Sequence, residues 1–117
     1  MWYLNADMKQ YLIDGLRPQD HELIKHYLDK HYGPCNLGAI YWVELDPDLL
    51  TPMQKEHRLC GPHFFALELG RDFLSCELLV RIRTNIKCDC MGYATLEQRE
   101  WLIGFADAVL DNLEISI

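Results

Sequence analysis

The stretch HFFALELGRDFLSCELLVRIRT, residues 63–84, restricts the fold of this chain more than any other. Two extended runs, 63–69 and 73–83, flank Gly70-Arg71-Asp72, a loop short enough for a β-hairpin. In the second run Cys76, Leu78, Val80 and Ile82 alternate with Glu77, Arg81 and Arg83. A period of two sends one face into a core and leaves the other polar, with Leu79 as the interruption on the outer side. An antiparallel sheet is therefore expected at the centre, and the remaining segments must cover it.

Those segments read in order. MKQYLID (8–14) is a strand with Tyr11 and Ile13 on one face, broken by Gly15. PQDHELIKHYLDKHYG follows as a helix, with Pro18 at its first position, acidic residues in the first turn and Gly33 as the stop. Leu23, Ile24, Tyr27, Leu28 and His31 fall at helical spacing and are expected to form its buried stripe, which makes His31 a core histidine. His21 and His26 fall on or near the solvent side. GAIYWVELD (38–46) is β-branched and aromatic and predicts a second strand. TPMQKEHRLCGP opens on a capping box, Thr51 with Gln54, and predicts a short helix over 51–60. Thr95 with Gln98 is a second capping box, and its helix runs to about residue 112, with a broad apolar face of Leu102, Ile103, Ala106, Val109, Leu110 and Leu113.

The expected fold is a single α+β domain over residues 1–117. It is a two-layer sandwich, a mainly antiparallel four-stranded sheet with two main helices on one face and one short extra helix. That arrangement leaves a second sheet face to account for. Trp42 alternates with Tyr41 and Val43, and Phe64 with Phe65 and Leu67, so both point away from the helices, beside Arg81 and Arg83. Either the short helix folds over this partly apolar face, or a second copy or a protein partner does. The expected role is a binding or assembly module, a homodimer or a partner-bound chain, using Trp42, Phe64, Arg81 and Arg83.

Composition removes several other roles. Net charge is −7, divided as −4 over residues 1–54, +2 over 55–87 and −5 over 88–117. An acidic chain repels phosphate backbones, so no nucleic-acid partner is expected. No run of about 20 apolar residues exists, so no membrane span is expected. The first ten residues carry neither a basic start nor a signal-length apolar run, and cytoplasmic residence with reduced thiols is expected. The two serines, Ser75 and Ser116, lie outside any Gly-x-Ser-x-Gly turn, and the seven glycines are isolated, so serine hydrolases and phosphate-loop enzymes lose their signatures. No His-Glu-x-x-His, EF-hand loop or distinct carboxylate pair appears, and the sequence points away from an enzyme.

One cluster holds ligand chemistry. His57-x-x-Cys60 ends the short helix, and Cys88-x-Cys90 precedes the last one. Together His57, Cys60, Cys88 and Cys90 supply one nitrogen and three sulfurs, the soft tetrahedral set that suits Zn²⁺, with His63 able to stand in for His57. Cys-x-Cys is closer than the usual spacing of structural zinc ligands, and buried cysteines commonly serve as small apolar residues. A thiol–disulfide role at Cys90 draws on the nearby helix start and is opposed by Asp89. No cofactor is therefore expected, and zinc is the one that these residue types would suit.

Overall fold

The computed structural model describes residues 9–33, 39–57, 62–82 and 91–116. The hairpin forms as its alternation requires. β3 (His63–Leu69) and β4 (Phe73–Glu77) pair antiparallel, with Leu67 opposite Cys76 and Leu69 opposite Leu74. β1 (Gln10–Asp14) pairs antiparallel with the outer side of β4, and β2 (Ile40–Glu44) with the outer side of β3. Gly15 ends β1 with a φ of 74°, a conformation that favours glycine.

Among the described residues the sheet has six strands rather than the four expected. The run expected as one strand over 73–83 breaks at Leu78, and β5 (Leu79–Ile82) continues beyond it. The Leu78 N–H donates to the Lys9 carbonyl at 3.0 Å, and its carbonyl accepts from Ala94 N–H at 2.8 Å. Both groups therefore bond on the side away from β3. Leu67 faces Cys76 but Phe64 faces Arg81, so the β4–β5 run holds two residues more than β3 across this stretch. An even insertion bulges the backbone without changing which face each side chain takes. Cys76, Leu78, Val80 and Ile82 all stay buried as the alternation predicts. The sixth strand, β6 (Gly92–Tyr93), pairs with β5.

Helix α1 (Pro18–Tyr32) starts where Pro18 places it. Asp20 accepts from the Arg17 N–H and from its guanidinium, each at 3.0 Å, and those bonds hold its carboxyl below the usual range. Its buried stripe is narrower than expected: Asp20, Ile24 and Leu28 are buried, while Leu23 and His31 are exposed. The His31 ring lies 4.4 Å from the Tyr27 ring on the surface instead of in the core. The His21 Nδ1 sits 2.8 Å from the Gly70 carbonyl and ties this helix to the hairpin loop.

Helix α2 (Pro52–Glu56) and helix α3 (Leu96–Asn112) both begin with the capping boxes seen in the sequence. The two boxes join. Gln98 Nε2 donates to Gln54 Oε1 at 3.0 Å and to the Leu49 carbonyl at 2.8 Å, with Gln98 itself buried. The core gathers Ile24 and Leu28 of α1, Leu102, Ala106 and Leu110 of α3, and the inward residues of the sheet, Phe65, Leu67 and Val80 among them. Among the described residues no helix is long and apolar enough to cross a membrane.

Candidate functional site

The side chains that alternate away from this core make a second sheet face. The register places them in rows. Ile40, Glu68, Ser75 and Leu12 are cross-strand neighbours, as are Trp42 and Ala66, and as are Glu44, Phe64 and Arg81. Trp42 meets Phe64 edge to face, with ring centroids 6.2 Å apart at 81°. Ile40 and Tyr93 beside them are 41% and 53% exposed, and Leu12, three strands away beyond Glu68 and Ser75, is 44% exposed.

Three of the four residues expected on this face, Trp42, Phe64 and Arg81, are brought together there; Arg83 lies outside the described residues. The Arg81 guanidinium is held by Glu77 through a forked pair of bonds, Nε to Oε1 at 2.5 Å and Nη2 to Oε2 at 3.1 Å. These bonds raise its pKa further and fix the direction of the guanidinium plane. Exposed pairs of this kind contribute little to stability, so their consequence is orientation. Lys9 Nζ stands 5.7 Å from the centre of the Tyr93 ring, and the Ser75 hydroxyl donates to Gln10 at 2.6 Å.

A trough of about 550 Å³ runs over the face, with Trp42 and Ala66 on its floor and Lys9, Glu68, Glu77, Arg81 and Tyr93 around them. Among the described residues none that belongs to a helix lines it. The short helix, which the sequence left as one cover for this face, is bonded through Gln54 to the first turn of α3 instead. Lys9, Glu68, Glu77 and Tyr93 were not singled out by sequence reasoning. Glu68 and Glu77 carried the signal, as the polar members of alternating strands, whereas β6, which carries Tyr93, is two residues long and has no periodicity to read.

Cys60, Cys88 and Cys90 lie outside the described residues. His57 caps the C-terminal end of α2. Among the described residues no three His, Cys, Asp or Glu side chains are grouped to hold a metal ion. His63 is 3% exposed at the start of β3, and its Nε2 has no hydrogen-bond partner among the described residues. Burial, with His57 nearby, lowers its pKa, so the ring is neutral at pH 7. Cys76 is sealed in the core, and burial pushes its thiol up to about 12, which leaves it inert as a nucleophile. Against protein-family models, curated proteins and solved structures alike, the chain finds no match.

Proposed function

We propose that this chain is a non-catalytic binding or assembly module whose working surface is the second sheet face. It acts as one domain in the cytoplasm, as a homo-oligomer or with a protein partner, without nucleic acid or membrane. In this reading α1 and α3 form one layer of a sandwich, and the opposite face of the sheet is left for assembly. The observation that carries it is the exposure of Ile40 and Tyr93 beside Trp42 on a face to which, among the described residues, no helix contributes. Apolar side chains grouped beside a pre-oriented arginine have the composition of interface centres, where aromatic residues and Arg are enriched.

Trp42→Asp tests the reading. The side chain is half-buried, so the variant keeps its fold, which far-UV circular dichroism checks. The native chain is expected to run above its 13.7 kDa in light scattering and the variant to run at 13.7 kDa. An assembly that persists in the variant overturns it.

His63 favours a second reading, a zinc-type site. A buried, neutral imidazole with an unpartnered nitrogen is the ligand form, and His57 stands close enough to influence it. Cys60, Cys88 and Cys90 are the further ligands the sequence suggests. Tag-free protein should then carry about one equivalent of zinc and melt lower in chelator, whereas less than about a tenth of an equivalent retires this reading.

A further inference from the structure

We propose that the outer edge of β1 is a docking strand for an extended basic segment of another protein, which pairs with it antiparallel and carries Lys or Arg at alternate positions. The edge is a separate surface from the trough over Trp42, so the inference stands whether or not that face assembles.

β1 ends the strand order, and among the described residues it pairs with β4 alone. The Leu78 N–H donates to the Lys9 carbonyl at 3.0 Å, which fixes the phase of the ladder. Bonded and non-bonded pairs alternate in an antiparallel ladder, so Tyr11 and Ile13 direct their backbone groups to β4. The N–H and C=O groups of Gln10, Leu12 and Asp14 therefore point outward, and none of them has a backbone partner among the described residues. Edges are commonly blunted by a Pro, a Lys or a bulge within the strand, and QYLID has none of these. It presents Leu12, 44% exposed, at its centre. Such an open row of donors and acceptors is the template that strand addition uses.

Charge selects the occupant. A hollow of about 470 Å³ borders β1 on the second face, with Leu12, Ser75 and Phe73 beside the carboxylates of Asp14, Glu68 and Asp72. No Lys or Arg lines it, and these three exposed carboxylates make no ion pair among the described residues. Nearby cations are engaged elsewhere: Lys9 lies over the Tyr93 ring, Arg81 is forked by Glu77, and Arg71 lines a different hollow with His21, Glu22 and Asp72. Partner residues that bond to Leu12 and Asp14 put their side chains on this same face. A Lys or Arg opposite Asp14 forms a cross-strand ion pair, and one opposite Leu12 lays its stem on the leucine with its charge over the hollow. The positions between fall on the helix side, beside Tyr11 and Ile13, where apolar side chains fit. A second copy brings no such cation, because the same face of its own β1 carries Gln10, Leu12 and Asp14.

A fluorescein-labelled peptide of sequence TKVKVKT tests it, with binding to the full chain read by anisotropy. N-methylation at its lysines removes the N–H groups that bond to β1 and should weaken binding at least about tenfold, whereas methylation at its valines, whose N–H groups face away, should change it by no more than about twofold. The peptide TEVEVET has the same shape with the charge reversed and should not bind. Asp14→Lys changes an exposed side chain and should weaken binding of TKVKVKT at least about fivefold. Trp42→Asp should bind it as the native chain does; loss of binding there moves the peptide to the face and overturns the proposal. No binding at about 500 μM protein overturns it as well. Equal binding of the lysine-methylated peptide means charge attraction without strand pairing, and equal binding of TEVEVET or indifference to Asp14→Lys means an occupant that is not basic; either result overturns it. A dimer kept in Trp42→Asp but lost in Leu12→Pro, a change that an outward N–H on an edge strand tolerates, assigns the edge to a second copy and overturns it too.

Discussion

Phe65→Ala is expected to destabilise the chain by about 3–5 kcal/mol, a large part of the 5–15 kcal/mol typical of a whole domain. Phe65 is fully buried in β3, the strand that pairs with β2, β4 and β5. Its ring stacks on Trp101 of α3 with centroids 6.2 Å apart, Trp101 stacks on Phe105 at 6.0 Å, and Phe105 meets Tyr32 of α1 edge to face at 5.7 Å. Truncation at Phe65 removes the sheet end of that aromatic path and leaves a cavity that the paired strands cannot collapse to fill. Phe64→Ala supplies the contrast. The same residue type one position earlier points to the other face and is half-buried, so its loss is expected to cost about 1 kcal/mol. Urea unfolding followed by tryptophan fluorescence measures both. Equal losses at the two positions would contradict the alternation on which the two faces depend.

That alternation is also the measure of how much of the fold can be read from the residues. The helix starts are local, since Thr51 with Gln54 and Thr95 with Gln98 satisfy backbone donors within one turn, and both were legible. The break at Leu78 was not. It inserts two residues against β3, and an even insertion leaves a period of two intact, so Cys76, Leu78, Val80 and Ile82 read identically with or without it. The stripe of α1 was read too broadly because apolar spacing admits Leu23 and His31, while the position that is buried in the first turn belongs to a charged residue, Asp20. Its carboxylate tolerates burial through bonds to Arg17, which hydrophobic periodicity does not register. The candidate face follows the same division. Trp42, Phe64 and Arg81 come from strand parity, whereas the fork of Glu77 on Arg81 and the place of Tyr93 depend on the bulge and on β6, both products of tertiary pairing.

The join between the two capping boxes is the other tertiary product, and it predicts a pH-dependent loss of stability in Gln98→Glu. Gln98 is 1% exposed and its amide is used at both ends: Oε1 accepts from Thr95 N–H at 3.1 Å, and Nε2 donates to the Leu49 carbonyl and to Gln54 Oε1. A carboxylate keeps the first bond and turns the other two into contacts between acceptors. The Gln54 amide cannot simply turn round to help, because its Oε1 also accepts from Thr51 N–H at 2.9 Å. Burial and the two facing oxygens would raise the carboxyl pKa in the folded state above its unfolded value of about 4.3. A raised acid pKa means that the folded state resists ionisation. The penalty is therefore small below about pH 4, grows as pH rises through the unfolded value, and levels off above the folded one. At pH 7 the variant is expected to be about 3–5 kcal/mol less stable than the native chain, in the range for a buried charge without its partner. At pH 4 a protonated carboxyl can donate to one of the two oxygens, and the difference should narrow to about 1–2 kcal/mol, the cost of the bond still missing. Urea titrations of both proteins at the two pH values measure the gap. A gap that does not widen with pH would place the new carboxylate in water, and the buried amide bridge between α2 and α3 would then be wrong.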